Sequence, residues 1–265
     1  MAKISPSVAK GCAILAAVAV GVPLLVVGVV GVKTWVPLKR AGKALEKLDQ
    51  NLGHEAVYQP APSGAIPAER MELFLELRTK LVTACEEYSG VRKGFDSVAE
   101  LESKDPGDPK EVGDVAVGLG SAALSITPFL ARFFELRNQA LLAAGMGLEE
   151  YSYIYAIAYH DLLLAPKTLN EIFSDGRPLS PEASKQLRGC LARQLETTGL
   201  AGEVGAELKK MEDDPFRLVW QDGLPEAVHA SVLPFRERLD GLFCSAAAGL
   251  EMERDSGRAL RVALE

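Results

Sequence analysis

Twenty-two consecutive residues near the amino terminus, Gly11 to Val32, carry no charge and are mostly Val, Ala, Leu and Gly. At the helical rise of about 1.5 Å per residue, a run of this length spans about 33 Å, enough to cross a hydrocarbon core of about 30 Å. Lys10 and Lys33 bracket the run, and Trp35 falls where an interfacial aromatic would sit. Pro23 lies in its middle, a position that membrane helices tolerate. The competing reading is a cleaved export signal, with Ala17 and Ala19 as an A-x-A site. An apolar signal core is about 7–15 residues long and ends at its cleavage site, whereas this run continues for 13 residues past Ala19. Cys12 has no apolar stretch before it, as a lipoprotein signal would require. The chain therefore reads as a single-pass membrane protein anchored through residues 11–35, after a short basic tail at 1–10.

Orientation draws on two opposed signals. Lys33, Lys39, Arg40, Lys43 and Lys47 follow the span, against Lys3, Lys10 and the amino terminus before it, which favours a cytoplasmic carboxyl-terminal domain. A short basic tail before an apolar run is also the shape of an export signal that is never cut. The second signal is weighted more, so the expected site of the domain is extracytoplasmic (periplasmic), with a cytoplasmic domain as the alternative.

Charge divides the chain at about residue 50. Residues 1–50 hold seven of the 29 Lys+Arg and two of the 36 Asp+Glu, so they carry +5 and the remaining 215 residues carry −12. An acidic domain without a basic stripe argues against nucleic acid as a partner, because phosphate contacts need clustered cations. The basic strip could touch anionic lipid heads, although a topology signal alone also accounts for it. After Cys12 the cysteines are Cys85, Cys190 and Cys244. Their odd number and the lack of any C-x-x-C suggest neither a disulfide framework nor a zinc site, so all three are expected as small buried hydrophobes on helix faces.

The domain reads as all-α. Residues 36–66 are expected as a short juxtamembrane amphipathic helix, Lys39 to Leu52, and a Pro/Ala-rich linker or strap. From 67 to 265 the pattern predicts a bundle of five or six helices. Pro67-Ala68-Glu69 has helix-start chemistry, and Met71, Phe74, Leu77, Leu81, Cys85, Tyr88, Val91, Phe95 and Val98 then recur every three or four residues. Ser103 to Gly113 reads as a loop. Val115 to Ala131 is uncharged; it could be a second span, but its length and its Gly, Ser and Pro content favour a core helix running to about Ala144. Further helices are expected over Leu148–Leu164, from Ser180-Pro181-Glu182 to about Glu212, and from Pro225-Glu226 onward with a kink at Pro234. Between the last two, Asp213–Leu224 should turn and pack Trp220 on the core. Period-two alternation is not sustained anywhere, and no internal repeat aligns.

The densest candidate site is the segment Leu148–Leu164, which holds four of the six tyrosines. Tyr151, Tyr155 and Tyr159 fall four residues apart on one helical stripe, and Tyr153, Ile157 and His160 fall on another. A tyrosine ladder beside His160 and Asp161 could line a pocket for a lipid, sugar or peptide; equally, it could be a buried helix whose hydroxyls bond neighbouring backbone. Tyr151, Tyr155, Tyr159, His160 and Asp161 are thus the candidate binding residues. No catalytic residue, metal site or cofactor is assigned. Glu226 and His229 form one E-x-x-H, but a di-iron bundle needs two such pairs and two further glutamates. Nucleophile motifs are missing, and the glycine-rich Gly113–Gly120 lacks a P-loop lysine.

Three functions follow as expectations. The first is a membrane-anchored helical interaction module, probing a bacterial envelope for a protein, peptide or lipid ligand. The second is a hydrolase or metal-dependent enzyme built on the Tyr151–Asp161 helix. The third is a dimeric spacer, paired through Ala13, Ala17 and Gly21, whose four-residue spacing makes a small-residue face on the span.

Overall fold

A computed structural model describes residues 39–52, 58–102, 128–165, 179–197 and 201–254. The proposed anchor, most of the 115–131 run and the 103–113 loop lie outside them. Among the described residues every regular element is helical, and no helix is long and apolar enough to cross a membrane.

The first helix, α1, covers 39–52, and α2 runs from Ala68 to Glu102. Pro67 opens α2 as read, with Arg70 and Met71 N–H groups bonding its carbonyl at 3.0 and 3.1 Å. Helix α3 covers 128–144 and stops at Gly145. There the Met146 N–H bonds the Leu141 carbonyl (3.0 Å) and the Gly145 N–H bonds that of Leu142 (3.2 Å). This double closure needs a left-handed residue, and Gly145 supplies it with φ of 57°. Leu141 and Met146 are both fully buried and provide its apolar contact.

Helix α4, Leu148–Ala158, is the axis of the domain. Leu148, Tyr151 and the unbroken run Ser152–Ile157 are all buried. A helix apolar on every side must be surrounded, and α2, α6 and α8 (below) pack around it. The single helix expected to Leu164 bends at Tyr159, which has φ −110° and ψ 20°, and resumes as α5, His160–Leu164.

The helix expected from Pro181 to about Glu212 is in fact two: α6, Pro181–Leu195, and α7, Ala201–Asp213, packed against each other. Ser180 caps α6 by accepting the Ala183 N–H at 3.1 Å. Tightened bonds end α6, from Glu196 N–H to Arg193 carbonyl and from Thr197 N–H to Gln194 carbonyl. The sequence predicts weak points in the single expected helix at Gly199, Gly202 and Gly205; Gly202 and Gly205 sit inside α7, and Gly199 lies outside the described residues. Pro225 precedes α8, Glu226–Val232, and Pro234 interrupts it as a 3-10 turn, Leu233–Phe235, before α9, Arg236–Asp240. Residues 241–254 then form an irregular strap with one 3-10 turn, Ser245–Ala247, lying against α2.

The expected linker is part of the packed domain in its described portion, 58–66. Tyr58 donates its N–H to Glu149 (3.0 Å) and accepts from Arg193 Nε (2.9 Å). The Ile66 N–H bonds Ser231 Oγ (3.1 Å), and the Tyr153 hydroxyl donates to the Gly64 carbonyl (3.1 Å). Gly64 closes the turn at Ala61–Gly64 with φ 72°; a Cβ there would sit 2.9 Å from Val228 Cγ2 and 3.0 Å from Gln194 Nε2.

The expectation for the cysteines is corrected. Cys85 of α2 and Cys244 of the strap form a disulfide with Cα atoms 5.8 Å apart, and Cys190 remains free and buried. An odd count does not prevent one pair from forming, and a partner 159 residues away leaves no local trace in the sequence. Cys244 also lies on no helix, since Gly241 ends the last one.

Candidate functional site

The tyrosine stripe faces solid packing. Tyr151, Tyr155 and Tyr159 are each at most 1% exposed and stack in sequence, with ring centroids 5.9 and 4.9 Å apart. Phe74 of α2 covers one side and Phe243 of the strap the other. Beside the stack is Arg78, itself 1% exposed, with its guanidinium carbon 5.3 and 5.5 Å from the Tyr155 and Tyr159 ring centres.

Arg78 is held by more than rings. Its Nη1 donates to Glu251 Oε1 (2.5 Å) and to the Tyr151 hydroxyl (2.9 Å), and its Nη2 donates to the Leu242 carbonyl (2.8 Å). Tyr151 in turn donates to Glu251 Oε2 at 2.6 Å. Glu251 is fully buried, so a complete ion pair lies in the core; both carboxylate oxygens and both Nη atoms are hydrogen-bonded, while Arg78 Nε has no partner among the described residues. Burial opposes the Arg78 charge, but Glu251 and the three tyrosines outweigh it and hold the guanidinium protonated. The same burial pushes the Tyr151 and Tyr155 phenols far above their ordinary range and Tyr159 up to about 12. These hydroxyls are therefore neutral and not proton-transfer groups at physiological pH; Tyr151 donates, whereas those of Tyr155 and Tyr159 are buried without a hydrogen-bond partner among the described residues.

A second buried arginine grips the same strap. Arg137 of α3 is fully buried and donates through Nη1 to the carbonyls of Glu251 (2.8 Å) and Glu253 (2.7 Å). Its Nε and Nη2 bond Asn138 Oδ1, and its plane lies 4.7 Å from the Phe134 ring centre. Burial pulls this guanidinium down to about 10 against the opposing pull of Glu251 and Glu253, still fully charged near neutrality. Arg78, Arg137 and the Cys85–Cys244 disulfide thus clamp residues 242–253 to α2 and α3, and Arg254 adds a bond to Asp49 of α1 at 2.6 Å.

His160 and Asp161 leave the stack and face another part of the fold. His160 Nε2 lies 2.9 Å from the Trp220 carbonyl, so that nitrogen carries the proton and donates it. Nδ1 lies 3.3 Å from Asp161 Oδ1, while Asp161 Oδ2 accepts from Arg236 at 2.8 Å, which holds its carboxyl below the usual range. The turn beyond is fixed from its other side: Glu207 Oε1 accepts the Trp220 N–H (2.9 Å) and Arg217 Nε (3.0 Å). Trp220 sits in the left-handed region, φ 58°, a strained position for an aromatic that these two grips over-determine. The cleft by His160, which His229 and Asp240 also line, measures about 20 Å³, room for one water molecule. No three His, Cys, Asp or Glu side chains gather as a metal site among the described residues.

The five candidate residues therefore divide. Tyr151, Tyr155 and Tyr159 form a buried wall around Arg78, and His160 and Asp161 tie α5 to the Trp220 turn and to α9.

No family model, curated protein or solved structure matches this chain.

Arg78, Arg137 and Glu251 were not singled out from sequence, yet two of them leave a signal. Arg78 falls in the apolar register Phe74–Arg78–Leu81–Cys85, and Arg137 in Phe133–Arg137–Leu141. An arginine occupying a core position of a helical stripe implies a buried acceptor elsewhere in the chain.

Proposed function

We propose that this chain is a membrane-tethered helical interaction module whose domain stands outside the cytoplasm. The Cys85–Cys244 disulfide is the observation that carries this reading. Such bonds persist in oxidising compartments and are rare where glutathione and thioredoxin keep thiols reduced. It weighs against the lysines and arginine that follow the span, which taken alone would point the domain inward. The binding role is supported by what surrounds the tyrosine helix: packed rings, a buried ion pair, and a cleft of about 20 Å³ instead of a substrate-sized chamber. An enzyme using His160 would have to work with Nε2 already committed to a carbonyl and Nδ1 facing Asp161.

Protease shaving of spheroplasts against lysed cells, combined with thiol alkylation before and after reduction, tests the reading. Digestion of the domain in intact spheroplasts, with Cys85 and Cys244 alkylated only after reduction, is the expected result. A protected domain with all thiols free would refute it.

A further inference from the structure

Helices α1 and α3 enclose an open groove of about 560 Å³, within the usual size of a small-molecule site. Arg40, Lys43, Ala44 and Lys47 line one wall, and Glu135, Gln139, Leu142 and Ala143 the other. The charge of α1 is segregated. Ala41, Ala44 and Leu48 are buried against the bundle, Arg40, Lys43 and Lys47 flank them on the groove side, and Glu46 and Asp49 flank them on the other. Arg40, Lys43 and Lys47 are exposed and form no ion pair among the described residues. Glu135 is the one carboxylate among the groove's lining residues, and it already accepts from Gln139 at 3.2 Å. Three uncompensated cations on a domain that is otherwise strongly acidic call for an anionic occupant. An apolar floor of Ala44, Leu142 and Ala143 beside them calls for one with a hydrocarbon part.

Chain length says where that occupant comes from. Arg40 follows Val32 by eight residues, so even a fully extended connection keeps it within about 28 Å of the end of the apolar run. The cations at the groove mouth are thus tethered within a short chain length of lipid headgroups, the anions at highest local concentration. We propose that the groove seats one anionic phospholipid, its phosphate held by Arg40, Lys43 and Lys47 and its upper acyl chain laid on Ala44, Leu142 and Ala143. The proposal rests on the membrane tether above and goes further by naming the ligand class and its seat.

The test uses the full chain in detergent micelles, with equimolar phosphatidylglycerol and phosphatidylcholine added and retained lipid counted by native mass spectrometry. A cation near an anionic lipid surface strengthens attachment about fivefold, so the three together should favour phosphatidylglycerol at least tenfold. R40Q/K43Q/K47Q should abolish that preference. A143W, with every cation intact, should lose the retained lipid because the indole fills the groove. All four positions are exposed, so unchanged melting temperatures should accompany these losses. The proposal is overturned if the unmodified chain shows no preference, as it would with the groove filled by another part of the chain. It is equally overturned if the triple variant keeps the preference, or if A143W keeps it, which would mean surface charge without a seat. Alkaline carbonate washing of membranes separates the two readings: release of the chain defeats the tether itself, whereas a retained chain without lipid preference defeats only the groove.

Discussion

Replacing Glu251 by glutamine removes one negative charge from the core with almost no change of shape. Its consequence can be worked from the contacts. Glu251 is 0% exposed and accepts from Arg78 at 2.5 Å and from Tyr151 at 2.6 Å. In the E251Q variant one carboxylate oxygen becomes an NH2 facing a donor, and Arg78 keeps only the Leu242 carbonyl and the Tyr151 hydroxyl. Breaking a buried pair from one side costs about 3–5 kcal/mol, since the remaining charge is left uncompensated. For a domain of this size each kcal/mol shifts the melting temperature by about 2–4 °C, so the expected drop is roughly 6–20 °C. Removing both charges, in R78M/E251L, leaves only the Leu242 carbonyl and the Tyr151 hydroxyl short of partners, at about 1–3 kcal/mol each. The cycle built from R78M, E251L and R78M/E251L should therefore show a coupling of about 3 kcal/mol or more. Urea unfolding followed by far-ultraviolet circular dichroism, with the disulfide intact, measures E251Q and all four species of the cycle. A cost below about 1 kcal/mol for E251Q, or a double variant equal to the sum of the singles, would refute the buried-pair reasoning.

Reducing the Cys85–Cys244 bond should lower stability by about 2–5 kcal/mol, given the 159-residue separation it closes; melting with and without a phosphine reductant checks this. In the oxidised folded protein Cys190 should resist iodoacetamide at pH 8, because burial pushes its thiol up to about 12, and it should react once denaturant is added. Stability should fall as pH rises above about 10. Tyr151, Tyr155 and Tyr159 keep their protons in the fold while unfolded phenols release theirs near pH 10, so the unfolded state binds fewer protons there. Urea midpoints at pH 9 and 11, read beside tyrosinate absorbance, would show otherwise if they coincide. Gly64→Ala should destabilise by about 1–3 kcal/mol, from a left-handed φ of 72° and a Cβ 2.9 Å from Val228. Gly205→Ala, in open space within α7, should instead stabilise by about 0.5–1 kcal/mol; thermal melts of the pair should move in opposite directions.

The helical class was legible because the apolar spacing of α2 and the Ser180-Pro181-Glu182 and Pro225-Glu226 starts are local signals, and each opens a helix near where it was read. What was illegible is non-local. The predicted Pro181–Glu212 helix is instead two helices packed on each other, while Gly202 and Gly205, weak points on a local reading, sit inside α7 with open space around them. The pairing of Cys85 with Cys244 spans most of the domain. So does the pairing of Arg78 with Glu251, although the arginine's place in an apolar register hints at half of it. Within the tyrosine segment the stripe itself was visible, but not its surroundings, because a ring at helical spacing looks alike whether it faces a ligand or Phe74 and Phe243.

The clamp on residues 242–253 also has a bearing on time. Arg78 waits 164 residues for the carbonyl of Leu242, and Glu251 comes later still. At synthesis rates of about 5–20 residues per second, the first arginine is made roughly 10–30 s before its acceptors. Throughout that interval, closing the core around Arg78 and Arg137 would bury two cations without the Glu251 carboxylate and the strap carbonyls, leaving only Tyr151 and Asn138 to accept from them. Premature collapse is thus disfavoured by the same residues that lock the finished domain. The finished core depends on a segment that is synthesised after almost all of the helices it holds together.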